Sequence, residues 1–243
     1  MSRAALVTGA SRGIGLAIAR RLAERGWDLT ISARSEQTLR DVADEIARIS
    51  STRVLPVVAD MGSEEDLQRL AAAHTEHFER LDALVLNAGM GSIGPFSEFP
   101  VRRMDKLMNI NVRSAYVLIQ QLLPALRATA GATDASRVIA ISSLTGVAAE
   151  PLNSAYGASK AALTSLCETL NTEQSASGVS ATAICPGYVA TDMTAPLTDN
   201  VPADSMISPD AVAELAVALT RLDRSAVVPA IPVSRPGPSV WRV

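Results

Sequence analysis

Two residues four apart, Tyr156 and Lys160, carry the plainest chemistry in this 243-residue chain. They begin a helical pattern that continues through Ala161, Ala162, Leu163 and Leu166. A spacing of four puts both on one helix face, about 6 Å apart along the axis. A phenol ordinarily titrates near ~10, too high for efficient proton transfer at neutral pH, and a neighbouring ammonium stabilises the phenolate and lowers that value. Of the 22 basic residues only Lys106 and Lys160 are lysines, the rest being arginine. A lysine kept at this one spacing suits a role that guanidinium would serve poorly.

The second candidate is the run Thr8-Gly9-Ala10-Ser11-Arg12-Gly13-Ile14-Gly15, which follows an apolar strand and precedes the apolar-periodic helix Leu16–Arg25. Glycines at such a turn let the backbone approach a pyrophosphate, which then rests on the unpaired amides of the helix N-terminus. No lysine follows the last glycine, so this is not a P-loop. A tight turn whose glycines serve only packing is the alternative. In NAD-selective sites an acid at the end of the second strand holds the ribose hydroxyls. Here that position holds Ala33, followed by Arg34, while Asp28 lies at the wrong end of the strand and Glu36 is already in the next helix. Arg12 and Arg34 are therefore expected to grip a 2′-phosphate through their guanidinium forks, which makes NADP(H) the expected cofactor. Otherwise both arginines simply face water.

These residues need a scaffold, and the hydrophobic pattern supplies one. Ala4–Thr8, Leu29–Ser32, Val54–Ala59, Ala83–Leu86, Val138–Ile141, Ser180–Cys185 and Ala226–Ile231 read as strands, mostly as continuous apolar runs of the kind buried on both faces. Between them lie amphipathic segments such as Ser35–Ile49, with Leu39, Val42, Ala43, Ile46 and Ile49 on one face. Ser63 and Ser208 read as helix caps, the latter before Pro209. The alternation predicts an α/β fold: a single doubly wound Rossmann-type domain over residues 1–243, with a parallel seven-stranded sheet and helices on both faces. The segment 188–207 lacks long periodicity and is expected to act as a lid. Residues 229–243, with Pro229, Pro232, Pro236 and Pro238, are expected to form an irregular tail.

Composition narrows the classes. With 48% hydrophobic and 19% charged residues and a net charge of -3, the chain has no basic footprint for nucleic acid. No run of 18 apolar residues is present, so no spanning helix is expected, and Met1–Val7 does not read as a signal peptide. Cys167 and Cys185 form no ligand or redox spacing and are expected to be buried small hydrophobes in a cytoplasmic protein. His74 and His77 lie three apart on a helix and are expected on an exposed polar face rather than on a metal.

With the glycine turn and Tyr156-x-x-x-Lys160 both in place, the chain resembles the short-chain dehydrogenase/reductase family over roughly residues 4–220. Asn87-Ala88-Gly89 after the fourth strand is similar to the family's Asn-Ala-Gly. Asn111 falls in the next helix, where the family has a catalytic asparagine. Ser143, thirteen residues before Tyr156, matches its serine. Pro186-Gly187-Tyr188-Val189-Ala190-Thr191 looks like its nicotinamide-side motif, and Asp60 like the acid that contacts adenine.

The resemblance implies hydride transfer between NADP(H) and a small carbonyl or alcohol substrate. Tyr156 would serve as proton donor, and Lys160 would lower the tyrosine pKa and hold the nicotinamide ribose. Ser143 would bond the substrate oxygen, and Asn111 would keep a water that links Lys160 to solvent. Gly9, Ser11, Arg12, Gly13, Ile14, Gly15, Arg34, Asp60, Asn87, Ala88, Gly89, Tyr156, Lys160, Pro186, Gly187, Val189 and Thr191 would contact the cofactor. No metal is implied, and the family's habit is a homodimer or homotetramer. Ser142 and Asn109 are given no chemical role. Met90, Ile93, Leu152, Tyr188 and Met193 flank the chemistry and either line an apolar pocket or pack in the core. The ending Ser234–Trp241 departs from that of 3-oxoacyl-carrier-protein reductases, which typically close on a strand followed by an aspartate and glycines. Rival readings are an NAD-linked alcohol, sugar or steroid dehydrogenase, and a non-catalytic dinucleotide sensor or scaffold.

Overall fold

The computed structural model describes residues 2–131, 135–197 and 201–237. Strands β1 (Ala4–Thr8), β2 (Asp28–Ala33), β3 (Val54–Val58), β4 (Ala83–Leu86), β5 (Ser136–Ile141), β6 (Val179–Pro186) and β7 (Ala230–Val233) form one parallel sheet in the order β3-β2-β1-β4-β5-β6-β7. Side chains alternate across it. Ala5, Val7, Leu29, Ile31, Ala83 and Val85 face α1 (Gly13–Ala23), α2 (Glu36–Ile49) and α7 (Pro209–Leu219). Leu6, Val57, Leu84, Leu86, Val138 and Ala181 face α3 (Glu64–His77), α5 (Ser114–Thr129) and α6 (Ser154–Gln174). Removing the side chain of a fully buried residue such as Leu84 would cost about 2–5 kcal/mol.

The continuous apolar runs are the inner strands: β1, β2, β4, β5 and β6 are buried along their whole length. The two edge strands, β3 and β7, are only partly buried. Each edge strand contains a proline, and the register shows how it is accommodated. Arg53 O accepts from Leu29 N and Ala59 N donates to Ala33 O, so odd-numbered positions of β3 bond inward and Pro56 faces outward. Ala183 N bonds Pro229 O and Gly187 N bonds Val233 O, which puts Pro232 outward by the same alternation.

That edge placement corrects the reading of the chain's end. The last strand runs Ala230–Val233, pairing Ala183 with Ala230, and so enters the segment expected to be irregular. Pro238 and Trp241 lie outside the described residues. The first helix starts at Gly13, inside the glycine turn, ahead of the expected Leu16. The serine caps at Ser63 and Ser208 stand as read, accepting the amides of Asp66 and Ala211, and Ser35 caps α2 in the same way through the amide of Thr38.

His74 is not on an exposed face. It is fully buried against β2, with Nδ1 2.8 Å from Thr30 Oγ1 and Nε2 3.2 Å from Arg80 O. Its side of α3 packs on the sheet because Leu67, Leu70 and Ala71 share that face. Burial lowers its pKa to about 4. Both cysteines are buried, and burial pushes the Cys167 thiol up to about 12. Among the described residues no helix is long and apolar enough to cross a membrane.

Candidate active site

Strand order reverses between β1 and β4, and a doubly wound sheet holds its ligand in the crevice beyond that point. Thr8 ends β1. Its hydroxyl donates to Val85 O at 3.2 Å and accepts the amides of Asn87 and Ala88, each at 3.0 Å. Asn87 Nδ2 donates in turn to Thr8 O and Gly9 O at 3.0 Å. Gly9 and Gly13 take φ of +65° and +57°, the left-handed region that glycine enters freely. A Cβ on Gly15 would lie 2.4 Å from both Asn87 Nδ2 and Gly9 O. The turn and the Asn87-Ala88-Gly89 segment are thus one interlocked unit.

The N-terminus of α1 fits a dinucleotide's pyrophosphate. Unlike α2, α3 and α7, whose serines cap them and whose first turns carry acids, α1 has neither a side-chain cap nor an acid in its first turn. Its leading amides thus have no side-chain cap, the condition under which a helix N-terminus can accept an anion. Ser11 is half-buried in the turn, and Ile14 packs against the α1/α7 layer. The segment after β6 folds over the same turn. Pro186 is the last residue of β6, and Gly187 N donates to Val233 O at 2.9 Å. Val189 is buried and bridges to Ile207, and Thr191 Cγ2 stands 3.2 Å from where a Gly13 Cβ would be.

Arg12 is drawn to this segment too, with Nη1 2.9 Å from Asp192 Oδ2 in an exposed pair. Arg34 is exposed and has no ion-pair partner among the described residues. Thr8 pairs with Ser32, and Ala10 N bonds Ser32 O at 3.0 Å, so both arginines follow their strands at the same sheet end. Asp60, exposed just beyond β3, accepts the Gly62 amide at 2.8 Å.

Asn111 sits in a π-helical turn, Asn109–Arg113, between α4 (Val101–Met108) and α5, rather than in a regular helix. Such a widened turn is a frequent mark of functional sites. Asn111 is buried. Its Nδ2 donates to Met90 O and to Ser159 Oγ, both at 3.0 Å, and its Oδ1 accepts Met90 N at 2.9 Å. Gly89 lies where Asn111 and Lys160 meet: a Cβ there would be 3.2 Å from Asn111 Oδ1 and 3.5 Å from Lys160 Nζ.

Lys160 is buried, and its Nζ donates to Ile141 O at 2.8 Å and stands 5.7 Å from the centroid of the Tyr156 ring. Burial lowers its pKa to about 8. Tyr156 departs from the expectation of a lowered pKa, being pushed up to about 12. Burial is the largest cause, the Glu150 charge adds to it, and a hydrogen bond with Ser143 pulls the other way. The desolvation of the buried phenol outweighs the effects that would lower its pKa. Ser143 Oγ accepts from Thr145 N at 3.2 Å and from Thr145 Oγ1 at 2.9 Å, which leaves its own proton to donate.

Four residues outside the expected set complete the site. Ser159 Oγ donates to Tyr156 O at 2.7 Å while accepting from Asn111, and so couples the π-turn to α6. Ser142 Oγ donates to Lys160 O at 2.9 Å. Asn109 Nδ2 reaches Gly62 O at 3.2 Å, and Glu150 accepts from Tyr188 Oη at 2.7 Å. Ser159 stands beside Lys160 in the motif itself, so its position was a usable signal; the other three carry none.

Residues 3–202 match the family model for the short chain dehydrogenases. A 3-oxoacyl-carrier-protein reductase of rhamnolipid biosynthesis from Pseudomonas aeruginosa is 41% identical over 79% of this chain and 75% of its own. A D-beta-hydroxybutyrate dehydrogenase from Rhizobium meliloti is 35% identical over 79% of this chain and 74% of its own. The RhlG/NADP active-site complex of Pseudomonas aeruginosa superposes with a TM-score of 0.86 at 36% identity, covering 94% of this chain and 93% of that one. Similar solved structures include complexes with NAD as well as NADP. A single parallel sheet with its order reversing at the glycine turn, the Tyr156–Lys160 cluster and these matches agree: the chain belongs to the short chain dehydrogenase family of oxidoreductases.

Proposed function

We propose that this oxidoreductase is an NADP(H)-dependent reductase of ketones or aldehydes, with Asn111, Ser143, Tyr156 and Lys160 as its working residues. The observation that carries the reading is the convergence of Ser143, Tyr156 and Lys160 at the carboxyl end of the sheet, beside the uncapped α1 N-terminus. A bound NADPH supplies the hydride. Tyr156, with a pKa of about 12, keeps its proton at neutral pH and gives it to the oxygen that becomes the alcohol. Ser143, already accepting twice from Thr145, donates to that same oxygen and orients it. Lys160 spends one of its N–H groups on Ile141 O, and its others would hold the ribose hydroxyls of the cofactor. Asn111 fixes Met90 and Ser159 around the pair.

Arg12 and Arg34 select the 2′-phosphate, the exposed Arg12–Asp192 pair being weak enough to exchange. Ile93, Leu152 and Met193, all about half exposed, give the substrate an apolar rim; of the lid expected over residues 188–207, positions 198–200 lie outside the described residues. A homodimer or homotetramer is part of this reading. The Arg12–Asp192 pair favours a second reading, an NAD-linked alcohol dehydrogenase, because it occupies one of the two arginines.

The test is NADPH and NADH oxidation across aldehydes, diketones and 3-oxo esters, run beside Tyr156→Phe. NADPH-dependent turnover that falls by about two to four orders of magnitude in the variant, with cofactor affinity kept, is the expected result. Near-normal turnover in Tyr156→Phe would refute the assignment.

A further inference from the structure

Glu150 lies in the loop between Ser143 and Tyr156, and both of its carboxylate oxygens are held. Tyr188 Oη donates to Oε1 at 2.7 Å and Asn153 Nδ2 donates to Oε2 at 2.8 Å. Asn153 is the residue on which α6 begins, three positions before Tyr156, and its carbonyl accepts the Gly157 amide at 2.7 Å. The loop is also tied by its backbone: Gly94 N donates to Leu152 O at 2.9 Å, and Leu152 takes φ +67°, a left-handed conformation that costs a residue with a side chain. Segments after β4 and β6 and the start of α6 therefore fix one carboxylate at the N-terminal end of the helix that carries the phenol.

Glu150 has no ion-pair partner among the described residues. Arg235 lies over the Tyr188 ring, its Cζ 5.5 Å from the centroid. The Glu150 charge is felt at Tyr156, while Arg235 acts on Tyr188.

We propose that Glu150 is a specificity-determining residue that sets the charge of the substrate: its fixed carboxylate admits carbonyl compounds that are uncharged around the reacting carbon, such as 3-oxo esters and thioesters, and rejects the matching free 3-oxo acids. The proposal rests on the reductase reading above. A substrate oxygen that takes the Tyr156 proton brings any carboxylate two carbons away into the field of Glu150. Two like charges within several ångströms of each other at an intermediate dielectric cost roughly tenfold or more in binding.

The experiment compares kcat/KM for a homologous series of 3-oxo esters with that for the corresponding 3-oxo acids, with NADPH, in the wild type, Glu150→Gln and Tyr188→Phe. Glutamine keeps an acceptor for Tyr188 and removes the charge; Tyr188→Phe removes an anchor and keeps the charge. The wild type should favour esters at least tenfold. Glu150→Gln should narrow that ratio at least fivefold by raising the rate on acids, and Tyr188→Phe should retain the preference for esters. Equal use of acids and esters by the wild type, an equal loss on both in Glu150→Gln, or a ratio that collapses in Tyr188→Phe as in Glu150→Gln would overturn the charge filter. No reduction of any ester would instead overturn the reductase reading on which it stands.

Discussion

Asn87 occupies the space that a side chain on Gly15 would need: a Cβ there would lie 2.4 Å from the Asn87 amide nitrogen. Because that nitrogen also bonds Thr8 O and Gly9 O, it cannot move aside without opening the end of β1. Gly15→Ala should therefore weaken dinucleotide binding at least tenfold and destabilise the fold by about 1–3 kcal/mol. Cofactor titration and denaturant unfolding would measure the two losses, and an unchanged dissociation constant would show that the turn does not hold the ligand.

Arg34 offers a cleaner test of cofactor choice than Arg12, since no carboxylate holds it among the described residues. Arg34→Ala should weaken NADPH binding by about tenfold, the scale of one charge-assisted hydrogen bond, and leave NADH binding within about twofold. Calorimetric titration with both dinucleotides decides it; equal wild-type affinities for the two would remove the 2′-phosphate argument.

The buried lysine predicts a pH limit. Lys160 has its pKa lowered to about 8 by burial, so its ammonium is present below that value and is lost as pH rises through it. Carbonyl reduction should fall above pH ~8, with the cofactor dissociation constant rising over the same range. A Lys160→Met variant should be slow and flat across it. A wild-type profile level to pH ~10, near the ordinary lysine value, would contradict this account.

His74 ties stability to pH in the acid direction. Its pKa falls from 6.5 unfolded to about 4 in the fold, so its contribution is complete above 6.5 and is lost as pH drops towards 4. Between pH ~7.5 and ~5 the loss should reach about 2 kcal/mol. Urea unfolding at the two pH values, wild type against His74→Gln, reads it: the variant starts lower and changes less. Parallel slopes would mean that the imidazole is not shielded.

The inner strands were legible because burial on both faces writes a continuous apolar run, as at Ala83–Leu86. The edges were less so: β7 hides among prolines whose outward register appears only once β6 is beside it. In the site, Tyr156, Lys160 and the glycine turn announce themselves by spacing. His74 was misplaced since two histidines three apart look the same on either face of α3, and only the sheet beneath decides. Glu150 was invisible for a similar reason, as its meaning depends on Tyr188, 38 positions away. The Tyr156 pKa went against expectation because sequence spacing brings the lysine close but says nothing of how completely the fold buries the phenol.

The outward prolines at both ends of the sheet reach beyond the chemistry. Neither Pro56 nor Pro232 can offer a main-chain proton to an arriving strand, so each margin has a gap in the row of donors on which another polypeptide would template. Recruitment of partners by extending the sheet, and the fibrillar growth that begins the same way, are disfavoured at each margin by the one missing donor. Replacing either with valine would restore a complete row and with it a route to precipitation.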